Sequence, residues 1–170
     1  VDRQGMPGFP QVLDAVSNAY KNQREQIESA SDRLLDHIKA FTTLPDSELE
    51  ISDDTSKTAY KDIESQVDMI NGGLKGAPKF PQPMIYEFLL KHYCRTNYDE
   101  PLSIVTKTLD KMAYGGIYDH LGGGFHRYST DAVWLVPHFE KMLYDNALLV
   151  RLYLHAYQIT GKDLYKSVVE

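Results

Sequence analysis

Residues 115–146 hold five glycines, three histidines, four carboxylates, one arginine and six large aromatic side chains, with no helical period among them. Glycine at that density leaves the backbone free and gives it little to bury, so the segment costs stability unless neighbours or a ligand use it. Paired carboxylates drawn from Asp119, Asp131, Glu140 and Asp145 could act as general acid and base on a glycosidic bond, where their separation selects the stereochemical outcome. The structural alternatives are an Asx turn at Asp131 and pairing of Asp145 with Lys141 one turn earlier. His120, His126 and His138 could carry protons, since imidazole titrates near neutrality and two of them on opposite faces of a sugar can move a proton beside a carbonyl. Each could equally be a hydrogen-bonded structural histidine.

Tyr118, Phe125, Tyr128, Trp134 and Phe139 present flat apolar faces with polar tips that suit a sugar ring or a partner's loop, or else they roof the core. Arg127 could clamp a carboxylate or join a structural ion pair. A metal site is disfavoured: His138 and Glu140 lie two residues apart and would diverge on a helix, and no His-x-x-x-His spacing occurs. Gly122 to Gly124 match neither a dinucleotide fingerprint nor a phosphate loop.

Helices must position this segment. After Pro7-Gly8, apolar side chains recur from Phe9 through Leu13, Val16, Tyr20, Ile27, Leu34 and Ile38 to Phe41, one stripe that is either a single long arm or two helices broken within 22–28. The acidic stretch 44–55 reads as a loop. The spacing predicts a helix from Ser56 to Asn71 with Ile63, Val67 and Ile70 inward and Gly72-Gly73 as its stop. Residues 74–81 form an extended proline loop. Pro83 and Pro101 begin two further helices, the second ending at Gly115-Gly116. Residues 124–129 and 133–136 are compatible with a small β-hairpin around Thr130-Asp131. A fifth helix from His138 presents Phe139, Leu143, Val150, Tyr153 and Tyr157, and a sixth begins near Asp163. The fold class is therefore all-α, built of antiparallel helical hairpins, with a small β-hairpin in the 115–137 loop.

The 170 residues allow one sizeable core. Apolar residues at 42% and charged residues at 25% describe an ordinary water-soluble balance, and no apolar run spans a bilayer. Eighteen basic against 24 acidic side chains give a formal charge of −6 with no basic stripe, which argues against nucleic acid as a partner. A single cysteine, Cys94, excludes an internal disulfide and a CxxC pair, and points to the cytoplasm. The chain opens without methionine and stops at Glu170 inside an amphipathic run, so it reads as a fragment that could self-associate.

Gly-Ala-Pro-Lys-Phe-Pro (76–81), the segment 115–131 and Trp-Leu-Val-Pro-His-Phe-Glu-Lys-Met-Leu-Tyr-Asp-Asn-Ala (134–147) together resemble the thioredoxin-domain-containing proteins related to spermatogenesis-associated protein. That resemblance implies an upstream thioredoxin-like domain, of which residues 1–24 would be the tail helix, continuous with the next. Residues 25–170 would be the first hairpins of a six-hairpin (α/α) toroid similar to N-acylglucosamine 2-epimerases. Carbohydrate chemistry follows by analogy of fold. The resulting expectation is a fragment, inactive alone, of an epimerase-like or glycosidase-like protein with a saccharide ligand. His126, His138, Asp131, Glu140 and Asp119 are its acid/base candidates, and Arg127, Tyr128, Trp134, His120 and Phe125 its substrate contacts, with no cofactor and no metal. The alternative is a non-catalytic interaction or scaffold module attached to the thioredoxin-like domain, in whose full-length protein the downstream hairpins are the neighbours.

Overall fold

The computed structural model describes residues 7–42 and 52–170. It divides into two compact units, Val1–Glu50 and Ile51–Glu170. In the first, α1 (Phe9–Asn22) starts with Pro10 in its first turn and the Gly8 N–H bonded to the Gln11 side chain at 3.0 Å. Gln23, at φ −131° and ψ 32°, separates it from α2 (Arg24–Thr42). Of the two readings of the apolar stripe, the broken one holds, although hydrogen bonds run on through Gln23 N to Ala19 O (2.8 Å) and Ile27 N to Gln23 O (3.1 Å). Neither helix contains a buried residue.

The second unit is an all-α set of helical hairpins: α3 (Asp53–Gln66), α4 (Pro83–Thr96), α5 (Asp99–Tyr114), α6 (Leu143–Thr160) and α7 (Asp163–Val169). Proline at the first position of α4 lacks only an N–H that would have had no intrahelical partner. Asp99 and Glu100 at the start of α5 and Lys111 near its end complement the helix dipole. Gly161 closes α6 in the left-handed region at φ +67°. Contacts join α4 to α3, α5 and α6, and α7 to α5 and α6. The core between them holds Leu89, Val105, Leu109, Leu149 and Leu152, each at most 1% exposed. Burying such a side chain contributes about 1.5–3 kcal/mol relative to leaving it in water. The buried Tyr153 hydroxyl donates to Leu109 O at 2.8 Å, so its polar atom is satisfied. Among the described residues no helix is long and apolar enough to cross a membrane.

Several expected boundaries move, and the causes are local. Of the expected 44–55 loop, residues 44–51 lie outside the described residues and 53–55 are the first turn of α3. That helix stops at Gln66 rather than Asn71, because the Asp68 carboxylate accepts the N–H groups of Ile70 (3.0 Å) and Asn71 (2.9 Å) and draws the backbone into a turn. Ile70, expected inward, is 79% exposed. Residues 138–142 are not helical; Arg127 N donates to Glu140 O and His138 N to Tyr128 O, so this segment pairs across the loop and α6 begins at Leu143. Phe139, Leu143 and Val150 are accordingly exposed, and Leu149, Leu152, Tyr153 and Ala156 form the buried face. The expected hairpin is reduced to isolated antiparallel bridges, Tyr118 with Phe125 and Ser129 with both Lys79 and Pro137.

Candidate functional site

The proline loop and the glycine-rich segment are tied together by main chain first. Lys79 N donates to Ser129 O at 2.8 Å and Ser129 N to Lys79 O at 2.9 Å. The Lys79 side chain, 1% exposed, carries its ammonium inward to Asp68 Oδ2 (2.8 Å) and Gly72 O (2.8 Å). Burial alone would raise the Asp68 pKa, but Lys79 and the turn's N–H groups outweigh it and hold the carboxyl well below the usual range. Over this pair lies Trp134, fully buried, whose indole N–H donates to Asn71 O at 3.0 Å and whose ring centroid is 5.5 Å from the Lys79 ammonium. Its backbone sits at φ +67°, an unfavourable conformation for a bulky side chain, held here by the buried ring. Gly73, at φ +77°, has no Cβ because the Trp134 ring occupies that space.

Trp134 is thus no stacking platform for a ligand, and Phe125, 3% exposed and stacked on Tyr153 with centroids 5.3 Å apart, is core as well. Asp131 accepts the N–H groups of Val133 (2.7 Å), Leu135 (3.2 Å) and Val136, making the turn that was its structural alternative. Burial opposes ionisation, yet these donors hold its pKa below the ordinary value. Asp119 accepts from Gly122 N (2.9 Å), Leu121 N (3.0 Å) and Lys141 Nζ (2.6 Å), and those donors, Gly122 first, depress its pKa strongly. Lys141 therefore pairs with Asp119 and not with Asp145. His120 places Nε2 3.0 Å from Gly115 O. Asn146 clamps Phe125 by both its N–H (2.7 Å) and its carbonyl (3.0 Å).

The remaining groups gather on one half-exposed face. Arg127 Nη1 meets Glu140 Oε2 at 3.0 Å, and that bond raises the guanidinium pKa further. His138 Nδ1 lies 3.7 Å from the same oxygen, so in this non-helical segment the two side chains converge where a helix would have separated them. The His138 ring stacks on Tyr128 with centroids 4.8 Å apart, and Tyr128 meets Phe80 at 4.8 Å. Asp145 stands apart chemically: burial pushes its pKa up, against a lowering pull from Arg127. His126 packs edge-on to Phe139 (5.3 Å), and its Nδ1 is enclosed with no hydrogen-bond partner among the described residues. Among those residues no group of three His, Cys, Asp or Glu is placed to hold a metal ion.

Sequence reasoning missed Phe80, Lys79 and Asp68, which lie 35 or more residues before Gly115, and Asn146, whose amide looked like one more polar helix residue. An aspartate two residues before a backbone bend was the available signal for Asp68.

No family model matches the chain. It is 38% identical over 161 residues to human spermatogenesis-associated protein 20, covering 86% of this chain and 20% of that protein. The mouse protein of the same name is 36% identical over 170 residues, covering 96% and 22%. An uncharacterised protein of Caenorhabditis elegans is 35% identical over 174 residues, covering 99% and 24%. The chain thus spans 20% to 24% of the length of these curated relatives.

Proposed function

We propose that the outward face of the glycine-rich loop binds a saccharide, within a longer carbohydrate-acting protein that joins a thioredoxin-like domain to a six-hairpin toroid in the cytoplasm. The observation that carries this reading is the run of rings Phe80, Tyr128 and His138 beside the Arg127–Glu140 pair. Flat rings take the C–H faces of a sugar, and a guanidinium with a carboxylate takes its hydroxyls. Two carboxyls flank Arg127 in unlike settings, Glu140 hydrogen-bonded to it and Asp145 raised by burial, an arrangement that separates an acid from a base. Asp119 and Asp131 hold the loop and do not take part. Calorimetry of the chain against a broad saccharide panel is expected to find one saturable ligand, weakened about tenfold by Tyr128→Ala. Absence of any saccharide binding, with Glu140→Gln equally silent, would sink the proposal.

A second reading, the interaction module, is favoured by a different observation: Leu135, Phe139 and Leu143 on the same segment are 65%, 83% and 86% exposed. Such side chains suit a protein partner. A partner protein that co-purifies with the chain and is lost on Phe139→Ala, with no sugar bound, would decide for it.

A further inference from the structure

Apart from the loop, α1 and α2 keep an apolar face in solvent: Phe9, Tyr20, Leu34 and Phe41 are 74%, 59%, 62% and 82% exposed. Positions 9, 13, 16, 20, 23, 27, 30, 34, 37 and 41 follow one another in alternate steps of four and three, a seven-residue repeat in which all but Gln23 and His37 are apolar. The helical hydrogen bonds from Gln23 N to Ala19 O and from Ile27 N to Gln23 O carry the count across the junction of the two helices. A helix packed on a broad core shows a wider stripe at the 3.6 period, whereas a strict seven-residue repeat winds a helix around another with the same repeat. Every acidic side chain and both lysines between 9 and 41 fall on the three heptad positions farthest from this seam. Only Arg24 and Arg33 flank it, and each is bonded within its own helix, to Glu28 Oε1 (2.7 Å) and to Ser29 O (3.3 Å). No charge therefore has to be neutralised across the seam.

We propose that this face is the interface of a homodimer, a parallel two-stranded coiled coil in which α1 and α2 of one copy lie in register along those of a second. In register, Gln23 meets Gln23 and His37 meets His37, and side chains with both donor and acceptor capacity bond their own kind. The antiparallel arrangement that keeps the whole seam in contact would set Gln23 against Ile27 and His37 against Leu13, leaving polar groups buried without partners. A stable dimer needs about 800 Å² from each copy, and the rings of Phe9, Tyr20 and Phe41 alone offer about half of that. The inference concerns the first unit alone and is independent of the saccharide face.

Sedimentation equilibrium of the 170-residue chain should show a monomer–dimer equilibrium. Leu34→Gln, in the seam, should weaken the dimer at least about tenfold. Leu35→Gln, next in sequence and 48% exposed but outside the seam, should leave it within about twofold. His37→Cys in a Cys94→Ser background should close a disulfide between copies under mild oxidation, which the antiparallel arrangement forbids because it holds the two residues at position 37 about 36 Å apart. A monomer at all concentrations, equal weakening by both glutamine variants, or no disulfide from His37→Cys would overturn the proposal.

Discussion

Two halves of one loop use the same residue types to opposite ends. On the inward half, the polar atoms of Asp119, Asp131 and Trp134 are consumed by backbone groups and by Lys141, and the indole is fully buried. On the outward half, Arg127, Glu140 and His138 keep side chains 43%, 41% and 49% exposed while touching one another. A segment without helix or strand stays in one conformation only if something other than a ladder fixes it, and the inward half does that work. The outward half therefore has its geometry set from behind, which is the condition for a binding surface on a loop.

The largest test of that division is Trp134→Ala, which should cost about 3–5 kcal/mol in urea unfolding, while Phe139→Ala on the outer side should change it by less than about 0.5 kcal/mol. Similar losses for both would erase the distinction between the halves. Lys79→Met comes next: it leaves the Asp68 carboxylate largely buried beside an apolar group, a loss of about 2–3 kcal/mol. Asp68→Asn added to Lys79→Met should recover part of it, because the stranded charge is then gone. No recovery would mean that the lysine's packing against Trp134, and not its charge, holds the turn.

How much of this was readable beforehand depends on the range of the interaction. Pro83, Gly161 and the apolar spacing of α5 act within one turn of chain, and α4, α5 and α7 emerged close to where the spacing put them. The start of α6 was misplaced because the competing interaction, Arg127 N to Glu140 O, spans 13 residues of chain that carry no helical period. Trp134 illustrates the same limit at the site. Its type suggested a ligand platform, and only the approach of Asn71, Gly73 and Lys79 from a distant segment shows that the ring fills the core. Glu140 and His138 were expected to diverge on a helix, and the non-helical segment before Leu143 brings their side chains together instead.

Acid should expose the inward half alone. Asp68, Asp119 and Asp131 all bind protons less readily folded than unfolded. Their stabilisation is present above the unfolded carboxylate pKa of about 3.9 and is lost as pH falls from there toward the folded values. Asp145 has the opposite sign: its raised pKa stabilises only below the unfolded value and is lost as pH rises through the folded one, so Asp145→Asn should not lower stability at neutral pH. Unfolding free energy measured from pH 7 to 2 should steepen below about pH 4 in the wild type, and less in Asp131→Asn. An unchanged slope would remove Asp131 from the fixing half.

The smallest effect on stability, and the most specific to the outward half, belongs to Arg127→Gln. Its ion pair with Glu140 is about two-fifths exposed on both sides, so the loss should stay below about 1 kcal/mol. Yet Arg127 is the group that pulls the Asp145 carboxyl down against burial, and removing it should move that carboxyl's titration upward, measurable by carbon-detected NMR. A large stability loss would place Arg127 with the structural half after all. A stationary Asp145 would separate the two carboxyls electrically and take away the acid/base pairing that the surface was proposed to offer a sugar.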